Sequence, residues 1–194
     1  IALAYDVARR GVLIFASAKN TGTPSIHYFF DLRTGAYLPQ SNDATQDPTA
    51  VVSYQPGGIG MPTVLVGCRD GYVRKYEDAA MTDDGTTFAS NVYFGPIRLG
   101  PNDTLMGIVH EFVGTLDAQS GTVTVNFYVG DTPQAALAST AAYTCTLVAG
   151  RNYGENPRVG GGVVYIELVG TPGSRWVYES GAIVRETVGA LRKV

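Results

Sequence analysis

Short apolar runs bounded by turn residues follow one another along this chain, and a helical period of 3.6 almost never replaces them. Val12-Leu13-Ile14-Phe15-Ala16 is one such run, held between Arg9-Arg10-Gly11 and Lys19-Asn20-Thr21-Gly22. An unbroken apolar run fits a strand covered on both faces. Ile26-His27-Tyr28-Phe29-Phe30-Asp31-Leu32 comes next, then the turn Arg33-Thr34-Gly35, then Ala36-Tyr37-Leu38. Gly35 supplies the positive φ of a tight hairpin. The pattern predicts four strands, at Ala2–Asp6, Val12–Ala18, Ser25–Leu32 and Ala36–Leu38. Residues 39–49, polar and with a proline near either end, read as a connection to the next set.

The theme then repeats. Strands are expected at Ala50–Tyr54, Thr63–Cys68, Tyr72–Glu77 and Thr86–Phe94, with Arg69-Asp70-Gly71 and Asp83-Asp84-Gly85 as hairpin turns. Each cassette has the size of one propeller blade, a four-stranded antiparallel sheet. Propellers close with about 4–8 blades, so two leave apolar faces unmatched. After Gly95-Pro96 the strands lengthen and alternate more evenly, at Leu105–Leu116, Thr122–Val129, Tyr143–Val148, Val163–Gly170, Arg175–Ser180 and Ile183–Leu191. Asp117–Gly121, Thr171-Pro172-Gly173 and Ser180-Gly181 separate them as turns. Ala135–Ala142 allows one short turn of helix at most. The expected fold is all-β: two propeller-type four-stranded blades over 1–97, then a small antiparallel β-sandwich of jelly-roll or immunoglobulin-like type over 98–194. Trp176, the sole tryptophan, is expected to anchor the sandwich core.

Composition sharpens this picture. Charged residues are 16 % of the 194, well below the usual quarter, and glycine reaches 24. Few charges suit a surface covered by neighbours, and equally an extracellular β-domain. The net charge of −3 gives no overall basic footprint for nucleic acid. No apolar run approaches the ~20 residues of a membrane-spanning helix. The chain starts at Ile1, directly in an apolar strand, and reads as the C-terminal part of a longer polypeptide.

Chemistry is sparse. Cys68 and Cys145 lie too far apart in sequence for a metal or redox motif and are expected as buried thiols. His27 and His110 stand alone on strands, and no Gly-x-Ser-x-Gly occurs to provide a nucleophile elbow. Asp31, Glu77, Glu111, Glu167 and Glu179 are the carboxylates a glycosidase would draw on, since it places two of them about 5–9.5 Å apart. Their alternation with apolar neighbours favours solvent-facing or arginine-paired roles. Asp43, Asp47, Asp70, Asp83 and Asp84 read as turn formers and not as a calcium site. Gly57–Gly60 and Gly160–Gly162 lack the spacing and following helix of a phosphate loop. Arg9, Arg10, Arg69, Arg74, Lys75, Arg192 and Lys193 make a weak basic set, able to touch a DNA backbone if they line a channel. Tyr28, Phe29, Phe30, Tyr37, Tyr54, Tyr72 and Tyr76 suit sheet packing, or a sugar-stacking platform. No catalytic, cofactor or metal residue is assigned.

The strings Ala4-Tyr5-Asp6…Gly11-Val12-Leu13-Ile14-Phe15, His27–Tyr37 and Gly67–Glu77 resemble the blades of bacteriophage tail nozzle proteins, the tail tubular protein B-like family. That family's blades carry tyrosine-Asp-Leu-x-Thr-Gly-aromatic followed by Asp-Gly-x-Val or Asp-Gly-x-Leu. Here Phe30 stands in place of the tyrosine. The resemblance covers residues 2–95. It implies a structural virion protein of the tail or neck that extends the DNA channel. Its implied partners are copies of itself in a ring and adjacent tail, adaptor or fibre proteins, with non-specific contact to DNA in the channel. It implies no cofactor. Two other classes fit the residues: a carbohydrate-binding or adhesin module of a secreted or virion protein, and a propeller-type hydrolase fragment.

Overall fold

The structure, a computed structural model, describes residues 1–18, 24–42, 44–55, 60, 62–77, 80, 82–102 and 105–190, the side chain of Ala190 apart. It is all-β except for a 3₁₀ turn and one short helix among the described residues. The chain divides into two compact units, Ile1–Ala80 and Met81–Val194.

In the first unit, β1 (Ala2–Asp6), β2 (Gly11–Phe15), β3 (Ile26–Asp31) and β4 (Tyr37–Ser41) form an antiparallel sheet in chain order. Period-two alternation gives it two faces. Ala4, Leu13, Phe15 and Phe29 share the inner face and are 7 % exposed or less. A Cβ at Gly11 would lie 2.1 Å from Phe29 Cζ, so this strand position admits no side chain. The connection beyond β4 is shorter than 39–49: Pro39 sits in β4, an edge strand, where its missing N–H costs no ladder bond. β5 (Pro48–Tyr54), β6 (Thr63–Cys68) and β7 (Val73–Tyr76) make a second antiparallel sheet. Its Val64, Val66 and Cys68 pack on the inner face of the first sheet to form one core.

This second sheet has three strands, not four. Thr86–Phe94 does not join it. Asp84 and Gly85, both at positive φ (47° and 83°), reverse the chain between β8 (Thr82–Asp83) and β9 (Thr86–Thr87), as a two-residue hairpin requires. β10 (Asn91–Arg98) then pairs with a strand of the second unit, because Val92, Phe94 and Ile97 fall opposite Leu168, Ile166 and Val164. The division between units therefore lies at Ala80/Met81 and not at 97/98.

In the second unit, β11 (Leu105–Leu116), β12 (Val123–Gly130), α1 (Pro133–Ala138), β13 (Tyr143–Leu147), β14 (Gly150–Glu155), β15 (Val159–Gly161), β16 (Val163–Gly170) and β17 (Tyr178–Ala190) follow. One sheet runs β10-β16-β12-β13; in the other, β11 pairs β14 and β15 along one edge and β17 along the other. Val109, Phe112, Leu116, Val125, Phe127, Leu147 and Leu168 from the two sheets build a shared core. His110 is the extra residue of a bulge in β11, and inward positions change from odd to even numbers across it.

Two further expectations need correction. Arg175–Ser180 and Ile183–Leu191 are not separate strands: Ser180 and Gly181 continue β17, paired with Thr115 and Gly114. Gly181 permits this because a Cβ there would meet the Tyr178 hydroxyl. Leu191 lies outside the described residues. The Gly-rich β14 and β15 carry too short an alternation to be read from sequence, and were not expected. Trp176 is half-buried against the core, lying over Gly170 and donating from Nε1 to Ser90 Oγ at 2.8 Å. A Cβ on residue 170 would sit 2.1 Å from Nε1. Gly170→Ala is therefore expected to displace the indole, red-shift tryptophan emission and cost about 1–3 kcal/mol in urea unfolding followed at that single fluorophore.

Candidate functional site

Three places carry exposed or buried groups beyond ordinary packing. The first is the outer face of the β1–β4 sheet. The register places Leu3, Ile14, Tyr28 and Pro39 in one row and Tyr5, Val12, Phe30 and Tyr37 in the next, with Ile26 beyond. Every one of these side chains is apolar or aromatic. Leu3, Ile26 and Tyr37 are 62, 59 and 61 % exposed. The expected aromatic platform thus splits: Tyr28, Phe30 and Tyr37 lie on this outer face, whereas Phe29 and Tyr76 pack in the first unit's core. Tyr54 and Tyr72 are exposed elsewhere in the unit.

The second place is a buried polar cluster at the end of that sheet. Asp47 is fully buried, with His27 at 1 % and Ser25 at 7 % exposure. Ser25 Oγ donates to Asp47 Oδ2 at 2.5 Å, and His27 Nε2 lies 3.3 Å from Oδ1. His27 Nδ1 accepts the Ala16 N–H at 3.2 Å and so carries no proton, leaving Nε2–H to donate to Asp47. Serine, histidine and aspartate meet here, but a triad needs the imidazole between the other two. Here both Ser25 and His27 point at Asp47, so no nitrogen is placed to take a serine proton. Arg69 adds its guanidinium 3.8 Å from Oδ2, and its N–H donates to the Asp47 carbonyl. Burial pushes the Asp47 carboxyl up, but the Ser25 hydroxyl and N–H and the His27 bond outweigh it and hold it below its ordinary value. The cluster ties β3 to the β6–β7 turn. Asp47 is thus a buried anchor and not the turn former its loop position suggested.

Other carboxylates do act in turns. Asp31 Oδ1 accepts the Arg33 N–H at 2.8 Å, and the Arg33 side chain holds its carboxyl low. Asp70 accepts from Tyr72 N–H and takes both Arg74 Nη groups at 2.9 and 2.7 Å. Arg9 bonds Asp6 and stacks 4.1 Å over Phe29. Lys75 pairs with Glu77 at 3.3 Å. Arg9, Arg69, Arg74 and Lys75 thus each lie against a carboxylate, and Arg10 is exposed. Arg192, Lys193, Asp43 and Gly57–Ile59 lie outside the described residues.

The third place is Glu167, on the outer face of the β10-β16-β12-β13 sheet yet only 6 % exposed. Its carboxylate accepts from Asn91 Nδ2 (3.2 Å), Asn126 Nδ2 (3.0 Å), Tyr128 O–H (2.7 Å) and the Tyr93 hydroxyl. Burial pushes its carboxyl up, but these four donors outweigh it and hold it low. The same bond, with burial and the carboxylate charge, pushes the Tyr93 hydroxyl up to about 12. A glycosidase acid needs the opposite shift and a second carboxylate nearby. Of the other glycosidase candidates, Glu111 and Glu179 belong to the strands β11 and β17 of the facing sheet, and Asp31 and Glu77 to the first unit. His110, on the bulge of that sheet, pairs with the exposed Glu186 at 2.9 Å. Cys68 and Cys145 are both buried, and burial pushes the Cys145 thiol up to about 12. Gly160–Gly162 sit where backbones approach: a Cβ on Gly162 would be 2.9 Å from the Asp131 carbonyl. Among the described residues no group of three His, Cys, Asp or Glu could hold a metal ion.

No family model and no curated protein sequence matches this chain.

Two outcomes follow from the buried carboxylates. Removing Asp47 strands His27 Nε2–H and the Ser25 hydroxyl in the interior, so Asp47→Ala is expected to cost about 3 kcal/mol. Amide exchange of β3 and β5 measures it. The folded-state value of Glu167 is depressed, so its contribution is complete above the unfolded value near about pH 4.3 and is lost as pH falls through the folded value. Unfolding followed at Trp176 is expected to hold steady above about pH 5 and weaken below it, and Glu167→Gln is expected to flatten that acid slope.

Proposed function

We propose that this chain is an assembly component of the tail-nozzle type, in which the first unit is a pair of neighbouring propeller-like blades and the second a sandwich appended to them. In this reading the chain works by burying surface between sheets and copies, not by bond chemistry. The observation that carries it is the apolar outer face of β1–β4. Four strands about 4.8 Å apart and two full side-chain rows, with Ile26 beyond, make a patch of roughly 300 Å². A contiguous apolar patch of about 300–600 Å² is the largest that a typical monomer exposes, and such patches are often functional.

The inner face offers the pattern for what covers the outer one. There, Leu13, Phe15 and Phe29 meet Val64 and Val66 of a second antiparallel sheet. Another sheet of the same build, from a sister copy, matches the outer rows in the same way. Full burial of a Leu, Ile, Val or Phe side chain is worth about 1.5–3 kcal/mol. Completing the burial of these half-exposed rows is then worth on the order of 10 kcal/mol, comparable to the 4–15 kcal/mol that association costs. The resemblance of residues 2–95 to nozzle blades points the same way, toward a ring of copies in a phage tail or neck with head-to-tail contacts.

Sedimentation velocity tests the reading. The full chain is expected to self-associate as its concentration rises to about 100 µM. The double variant Leu3→Lys/Tyr28→Lys is expected to stay monomeric with its unfolding midpoint little changed. A wild-type chain that remains monomeric, or a variant that associates as before, contradicts it.

A further inference from the structure

We propose that the outer face of the β10-β16-β12-β13 sheet is a binding site for a neutral saccharide, with Tyr93 as its stacking plane and Asn91, Asn126 and Tyr128 as its polar contacts. The inference is independent of the assembly reading, because it uses residues of the second unit alone.

The register sets the face. Tyr93, Glu167, Asn126 and Thr144 stand side by side across the four strands, and Val169, Thr124 and Thr146 continue beside them along their strands. Asn91 precedes Tyr93 on the same side of β10. α1 covers one end, where Ala136 packs with Val163, Tyr165 and Tyr128. The rest is open: Tyr93 is 50 % exposed, and Asn91 and Thr144 are exposed.

Glu167 is the single charged residue in these rows, and it is buried beneath the residues that bond it. A carboxylate on a solvent-facing position would ordinarily be hydrated. Here two amides and two phenols replace that water, which fixes the four side chains in place. The direction of each bond matters. The Tyr93 and Tyr128 hydroxyls commit their protons inward to Glu167, so toward solvent their oxygens can only accept. Asn126 donates to Glu167 and to the Tyr128 hydroxyl, and its Oδ1 accepts from Thr144 Oγ1 at 2.9 Å. Asn91 gives one N–H to Glu167, which leaves the other and its carbonyl for a ligand.

The face is therefore a rigid plane of oriented acceptors and the Asn91 donor beside a half-exposed ring. A ligand that answers it brings several hydroxyl donors and an apolar face of its own, as a sugar ring does. A phosphate or nucleic-acid backbone finds no cation in these rows. A polypeptide strand finds no unpaired backbone on the two central strands, β16 and β12, which are hydrogen-bonded on both sides. Rigidity lowers the ordering cost of binding, which matters for a shallow site.

The test is a glycan array probed with the full chain, followed by titration of the strongest neutral oligosaccharide against isotope-labelled protein. Signal on one or more neutral glycans is expected, with shifts at Tyr93, Asn126 and Thr144. Tyr93→Ala is expected to weaken binding at least about tenfold, while Tyr93→Phe, which keeps the ring, weakens it less. Trp176 emission verifies that each variant keeps the second unit folded. An array silent for neutral glycans overturns the proposal. So does binding that survives Tyr93→Ala, or that Tyr37→Ala on the first unit abolishes instead.

Discussion

Both faces of the β1–β4 sheet are apolar, and that constraint governs the first unit. A sheet with one solvated face alternates apolar and polar residues. Here β2 reads Gly-Val-Leu-Ile-Phe: Leu13 and Phe15 point inward to β5–β7, Val12 and Ile14 point outward. The inner interface shows what such a face demands, namely another sheet with matching branched and aromatic side chains. The exposed outer rows are the same kind of surface without that cover. The proposed role in assembly rests on this mismatch between composition and burial, more than on any single residue.

Polar groups at the inner interface act as fasteners. Asp47 joins Ser25, His27 and Arg69, while Arg9 lies between Asp6 and the rings of Phe29 and Tyr76. Unpaired, each of these buried groups costs several kcal/mol, so together they define one relative placement of the two sheets. In the second unit, Glu167 plays a comparable part on an outer sheet face. It orders amides and phenols from β10 and β12 around one carboxylate.

Much of this fold was legible in the sequence. The Gly35 and Gly71 turns and the apolar runs at Val12–Ala16 and Thr63–Cys68 located the strands of the first unit to within a few residues. The destination of Thr86–Phe94 was not legible. Its alternation is the same whether Val92 and Phe94 meet β7 or β16, and partner choice is a tertiary matter. Ser180-Gly181 reads as a turn because glycine permits one, whereas here Gly181 permits a close crossing opposite Gly114. The two polar centres were hidden for a similar reason. Asp47 and His27 are 20 positions apart, and Glu167 draws on Asn91, Tyr93, Asn126 and Tyr128 from two other strands. Nothing local distinguishes those carboxylates from the turn-forming Asp31 or Asp70.

The central claim, that the outer face of β1–β4 exists to be covered, is tested most directly by electron cryo-microscopy of the assembled particle. The expected map shows another β-sheet about 10 Å from this face, with Leu3, Tyr28 and Tyr37 in the dry layer between. A particle in which those three side chains face solvent contradicts the account.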